Sequence, residues 1–147
     1  MARSLLGKNS GLEILANIMQ HCNARTNKHI LGRLQKEIPQ IAAELRKKVF
    51  LFEDLAYADP RGLQKMFKLI HIKDMAISLK GAPPSVLKNL AGNMSQNALA
   101  DLKNEITTIG KARESDIEAA RERIMMIAGE LINNNELFIT RQDEPLY

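Results

Sequence analysis

Residues 95–110 read SQNALADLKNEITTIG, and the pattern within them sets the fold class. Ala98, Leu99, Leu102, Ile106 and Ile109 recur at the three-four spacing of a helical stripe turned toward a core. Ser95 stands where a side-chain oxygen caps a helix start, and Gly110 where a left-handed residue stops one. Gln96, Asn97, Asp101, Lys103, Asn104, Glu105 and Thr108 fall on the other side. A helix divided in this way buries one face and turns a polar face of mixed charge to solvent.

The same signature continues in both directions. Toward the C-terminus, Ser115-x-x-Glu118 has the form of a capping box and predicts a long helix from about Asp116 to Ile132. Its stripe is Ile117, Ala120, Ile124, Ile127, Ala128 and Leu131, and Asn133-Asn134-Asn135 is its stop. Leu137-Phe138-Ile139 reads as an extended piece that packs back, followed by a polar, frayed tail after Thr140. Toward the N-terminus, Pro83-Pro84 launches a helix over about Ser85–Ala91 with Val86, Leu87 and Leu90 inside. Before it come a short helix over Lys73–Leu79, burying Met75, Ala76 and Leu79, and a longer one opened by Asp59-Pro60. The latter runs to about Leu69 with Leu63, Met66, Phe67 and Ile70 apolar, and a short helix at Glu53–Tyr57 precedes it.

The first fifty residues repeat the theme in shorter units. Helices are predicted over Gly11–His21, with Leu12, Leu15, Ile18 and Met19 inward, and over Ala24–Lys36, capped by Asn23 with Ile30, Leu31 and Leu34 inward. A third starts at Pro39, with Ile41, Ala42 and Leu45 inward. Three short helices with tight links resemble one armadillo-type unit, which stacks on a neighbour to bury its remaining apolar face. Val49-Phe50-Leu51-Phe52 then breaks the pattern with four consecutive apolar residues that no amphipathic helix calls for. The reading is all-α, with about nine helices and no sheet. An armadillo-like repeat unit (1–48) is joined by a hydrophobic hinge (49–52) to a six-helix-type C-terminal lobe (53–147).

Composition agrees and removes several functions. Hydrophobic residues make up 45% of the 147 and aromatics only 4%, which suits helices packed through Leu, Ile, Ala and Met better than strands. The net charge of +4 comes from 21 basic and 17 acidic residues interleaved along the chain, without the clustering a nucleic-acid binder shows. Arg46-Lys47-Lys48, the one basic run, fits the last turn of a helix. A single cysteine, Cys22, excludes an internal disulfide and suits a reducing compartment. No apolar run approaches the roughly 18 residues of a membrane span.

Catalytic signatures are missing: there is no GxGxxG, GxxxxGK[ST], HExxH or GxSxG. His21, Cys22 and His29 match no zinc spacing and have no fourth ligand nearby. Glu53-Asp54 and Asp143-Glu144 are sequence neighbours that do not face each other on a helix, so they read as a solvated helix start and part of the tail. The reading is of a protein that is not an enzyme and uses no cofactor, metal, nucleic acid or small-molecule substrate.

The runs Val49-Phe50-Leu51-Phe52-Glu53-Asp54-Leu55 and Asp59-Pro60-Arg61-x-Leu63-Gln64 are the first two of six segments that, in order and at matching spacing, resemble the FliG family of flagellar motor switch proteins. The first is similar to the family's M-F-V-F-E-D-L and the second to D-D-R-S-I-Q. Lys73-Asp74-Met75-Ala76-x-x-Leu79-Lys80-Gly81-Ala82 is similar to R-D-L-A-L-A-L-K-G-A. Asn93-Met94-Ser95 matches N-M-S, Asp116-Ile117-Glu118 resembles D-V-E, and Glu136-Leu137-Phe138-Ile139 resembles the closing G-E-I-V-I.

The resemblance implies a rotor component at the cytoplasmic face of the inner membrane. Its charged helix would meet the cytoplasmic loop of the stator protein MotA. Its armadillo unit would stack on a neighbouring FliG middle domain in the ring or on the switch protein FliM. Stator-contact positions carry over to Lys80, Asn97, Asn104, Glu105 and Arg113, with Asp101 and Lys103 beside them, and the hinge to Val49, Phe50, Leu51 and Phe52. Asn97 stands where the family has a base and Asn104 where it has an acid. The family's ring-anchoring N-terminal domain and E-H-P-Q-bearing middle domain have no counterpart in these residues, so an excised fragment and a short homologue both fit. A paralogue with a specialised stator or an assembly role, and a helical-repeat adaptor of a membrane transporter, are the alternative readings.

Overall fold

The computed structural model describes residues 2–22 and 24–140, the side chains of 2–10 and of Ala24 excepted. Pro39, Pro60 and Pro84 each stand at the first position of a helix, where the missing N–H has no intrahelical partner to lose. The chain divides between Phe50 and Leu51 into two compact units.

The first unit holds α1 (Ala2–Gln20), α2 (Ala24–Glu37) and α3 (Pro39–Lys48), with α3 packed on both others. α1 begins well before Gly11, where the apolar periodicity starts. Leu12, Ala16 and Met19 form its buried stripe. Ile18, expected inside, is 53% exposed beside Ile14, because it lies about 100° of helical turn from Met19. The Asn23 cap lies outside the described residues. In α2, Ile30, Leu31 and Leu34 are half-buried, and among its described side chains the buried one is Asn27, whose amide donates to the Met19 carbonyl at 2.7 Å. Ala42 and Leu45 anchor α3, and Arg46, Lys47 and Lys48 occupy its last turn.

The second unit begins with a 3-10 turn at Phe52–Tyr57, where the sequence reading has a short helix from Glu53. It continues through α4 (Pro60–Leu69), α5 (Ile72–Ser78), α6 (Pro84–Gly92), α7 (Gln96–Ile109) and α8 (Glu114–Asn133). α5 packs against α7 and α8, α6 against the 3-10 turn, and α4 against α8. Leu55, Leu63, Met66, Ala76, Val86, Leu90, Ala120, Ile124, Ala128 and Leu137 fill the core. Leu87, also expected inside, is 38% exposed, since Val86 and Leu90 already define the inward line of α6.

Two polar residues and one glycine depart from their sequence reading. Asp54 is 2% exposed and accepts the Leu51 N–H at 2.8 Å, so Glu53-Asp54 is not simply a solvated start. The capping box at Ser115 does not form: α8 opens at Glu114 after an extended Arg113, whose carbonyl takes the Asp116 and Ile117 N–H groups at 3.0 Å. Ser115 thereby falls inside the first turn, among acids that complement the positive end of the helix dipole. Gly110 has φ 66° and ψ −127°, beyond the left-handed helical well and in a region only glycine enters freely.

The C-terminal end of α8 closes as a Schellman motif. Asn135 takes φ 57°, Glu136 N–H reaches the Leu131 carbonyl at 2.8 Å, and Asn135 N–H reaches that of Ile132 at 3.1 Å. Leu137 then drops into the core and Ile139 forms an antiparallel bridge with Ala58, the described residues containing no longer strand pairing. Asp59 locks this return. Its backbone N–H donates to the Phe138 carbonyl, one carboxylate oxygen accepts the Phe138 N–H at 2.9 Å, and the other caps α4 through the Gly62 N–H at 3.0 Å. The tail beyond Thr140, including Asp143-Glu144, lies outside the described residues.

Candidate functional site: the outer face of α7

α7 keeps both of its sequence-marked ends. Ser95 Oγ accepts the Ala98 N–H at 3.1 Å, and Gly110 N–H closes on the Ile106 carbonyl at 3.2 Å. Leu102 is buried, and Ala98, Leu99, Glu105, Ile106 and Ile109 are half-buried around it. At about 100° per residue, the exposed arc is centred on Asn97, Ala100, Asn104 and Thr108. Asp101 lies at one edge of this arc and Lys103 near the other, roughly 160° away. The face is therefore neutral at its centre and oppositely charged at its rims. Glu105 adds a second carboxylate on the Asp101 side, one turn on.

The two hydroxyls of the last turns are turned inward onto the helix. Thr107 Oγ1 donates to the Lys103 carbonyl at 3.0 Å, and Thr108 Oγ1 to that of Asn104 at 2.8 Å. The Asn97 and Asn104 amides are the strongest uncommitted groups at the centre. Among the described residues, no hydrogen bond or ion pair engages the side chains of Asn97, Asp101, Lys103, Asn104, Glu105 or Arg113. Arg113 is exposed just past the C-terminal end of α7, at the cap position of α8.

Lys80 is placed differently from the other six residues. It is half-buried between α5 and α6, and its ammonium donates to the Ile106 carbonyl at 3.3 Å. α7 carries no basic residue in its own last turn, so Lys80 supplies the cation that its negative end favours. The backbone of Lys80 is held in turn by Arg121 of α8. Arg121 Nε donates to the Ser78 carbonyl at 2.9 Å and a terminal nitrogen to the Lys80 carbonyl at 3.0 Å. Its guanidinium carbon lies 4.7 Å from the centroid of the Phe52 ring. Burial lowers the Arg121 pKa from its ordinary value, and the Glu118 carboxylate opposes that shift.

Sequence reasoning passed over Arg121, yet a signal was present. Ile117, Arg121, Ile124 and Ala128 share one helical register, and a cation stands where the stripe calls for an apolar residue. Asn89 was missed as well; its amide donates to the Leu55 and Ala58 carbonyls at 2.8 and 3.1 Å, fastening the 3-10 turn to α6. Beside α7, a recess of about 230 Å³ is lined by Ile77, Ile109, Lys111, Ala112, Asp116 and Arg123, among others. Arg123 forms an exposed 2.8 Å bridge to Asp74, and this hydrogen bond raises its pKa.

No group of metal-ligating side chains occurs among the described residues. His21 Nδ1 bonds the Asn17 carbonyl at 2.8 Å, as a helix-end residue does, and His29 is exposed. No helix among the described residues is long and apolar enough to cross a membrane.

These features define an all-α chain whose second unit holds the uncommitted polar face of α7 on a tightly bonded frame. The chain belongs to the FliG C-terminal domain family, whose model matches residues 32–139. It is 34% identical over 134 residues to the flagellar motor switch protein FliG of Thermotoga maritima, covering 91% of this chain and 40% of that protein. It is 32% identical over 131 residues to the FliG of Bacillus subtilis, covering 89% and 39%. The chain thus spans about 40% of the length of these relatives. Residues 86–343 of H. pylori FliG superpose with a TM-score of 0.66 at 22% identity, over 86% of this chain and 59% of that one. Full-length FliG from Aquifex aeolicus gives 0.58 at 24% identity, over 92% and 44%.

Proposed function

We propose that the chain is a component of the flagellar motor rotor and switch, and that the outer face of α7 meets the stator. The family match carries this reading, because residues 32–139 include the whole of α7 and its frame. The uncommitted side chains of that face support it. Exposed ion pairs contribute roughly 0–1 kcal/mol each, and physiological salt limits their reach to about 8 Å. Contacts of that strength engage and release repeatedly, which suits a surface passing a row of stators.

In this proposal the cytoplasmic loop of MotA meets Asn97, Asp101, Lys103, Asn104, Glu105 and Arg113. Lys80 belongs to the same site through its hold on the last turn of α7. Val49, Phe50, Leu51 and Phe52 form the hinge between 1–48 and 53–147. The three-helix unit stacks on the middle domain of a neighbouring FliG or on FliM, at the cytoplasmic face of the inner membrane.

Charge reversal tests the reading: Glu105→Lys and Arg113→Glu are expected to leave flagella assembled and impair swimming. Normal swimming in both variants sinks it. The neutral centre formed by Asn97 and Asn104 favours a second version, a paralogue with a specialised stator or an assembly role. Restoring Arg at 97 and Asp at 104 then leaves motility unchanged or worse, whereas a clear gain of torque marks an ordinary rotor with a weakened face. A gene deletion without any motility defect points instead to an adaptor outside the motor.

A further inference from the structure

Resting on the reading of α7 as the working surface, we propose that Arg121 is the positioning residue that holds this surface in place relative to Phe52, at the start of the second unit. Arg121 joins three segments that are distant in sequence. Its fork donates to two carbonyls at the end of α5, Ser78 at 2.9 Å and Lys80 at 3.0 Å, while its guanidinium carbon lies over the Phe52 ring, 4.7 Å from the centroid. Only a guanidinium combines a rigid pair of donors with a stacking plane. α5 has seven residues and no basic residue in its last turn, so its own sequence supplies no cation to the negative end of its dipole.

The connection runs on to α7. The backbone of Lys80 is fixed by Arg121, and its ammonium donates to the Ile106 carbonyl, which also receives the Gly110 N–H that closes the helix. α7 likewise lacks a cation of its own in the last turn. Two helix ends without basic residues are thus served in series: Arg121 serves α5 and Lys80 serves α7. The ring of Phe52 sets the plane from which the series starts. A shift at Phe52 is transmitted to the end of α7 that lies next to Glu105 and Arg113.

Native-state hydrogen exchange of the full chain, read amide by amide by NMR, tests the proposal. Arg121→Lys keeps the charge and loses the fork and the plane. It is expected to speed exchange of the Gly110 amide by about tenfold while α4 amides change less than about twofold. Phe52→Leu leaves every hydrogen bond of Lys80 and Arg121 in place and speeds the same amide several-fold. The double variant exchanges no faster than Arg121→Lys alone, because both changes act through one guanidinium. Arg123→Ala, which removes the exposed bridge on the same helix, leaves Gly110 unchanged. The proposal is overturned if Gly110 exchange does not respond to Arg121→Lys, if all core amides speed up together, or if the two substitutions add. Swimming of cells carrying Arg121→Lys bears on the proposed function alone: altered Gly110 exchange with normal swimming keeps the clamp and removes α7 as the working surface.

Discussion

The start of α4 and the outside of α7 use the same polar residue types to opposite ends. Around α4, the Asp59 carboxylate takes the N–H groups of Gly62 and Phe138, and Asp54 takes that of Leu51. Asn89 supplies the Leu55 and Ala58 carbonyls. On α7, Asn97, Asp101 and Asn104 engage nothing among the described residues. The difference lies in what the backbone requires. The first region contains a 3-10 turn, a helix start and a returning extended segment, whose peptide groups lack regular partners and draw side chains onto themselves. The body of the fourteen-residue α7 satisfies its own backbone and Ser95 already caps its first turn, so its outward side chains stay available.

The sharpest way to break this contrast is Gly62→Ala. A Cβ there would lie 2.8 Å from the Leu137 Cα and against the Asp59 carboxylate, so the returning segment must move. Overpacking of this kind destabilises by up to about 3 kcal/mol, read as a lower denaturant midpoint, and the extended 137–139 segment should lose amide protection first. Unchanged stability would mean that the closure is looser than its bonding indicates. Asp59→Ala comes next, at about 1–2 kcal/mol for the lost cap, with Asp59→Asn recovering only part of it, because its single amide oxygen can accept one of the two N–H groups that the carboxylate holds and its NH2 faces the other. On the other side of the comparison, the double variant Asn97→Ala, Asn104→Ala is expected to shift stability by less than about 0.5 kcal/mol. A loss above about 1 kcal/mol would show that the face is structural and not held in reserve.

The stripe of α7, its serine cap and the proline starts were legible because each rests on interactions within a few residues. The orientation of single apolar residues was less so. Ile18 and Leu87 carry the right character at nearly the right spacing, but each lies about a quarter-turn off a line that other residues already occupy. Ser115 had the motif of a cap and lost to Arg113, because the extended link after Gly110 ends two residues earlier than the motif proposes. Asp54 looked like an acid on a solvated turn, and the packing of the 3-10 turn against α6 buried it.

Local sequence by itself determined the helical class, the order of the elements, most of their ends and which side of α7 is polar, since periodicity and capping act over one or two turns. Tertiary structure decided which polar residues are consumed. Lys80 reads as one more surface charge until the last turn of α7, 26 positions away, is folded against it. Arg121 reads as a defect in a stripe until the ends of α5 and the Phe52 ring converge on it. Burying a charge is tolerated only where distant backbone groups arrive to meet it, and that meeting is a property of the assembled fold.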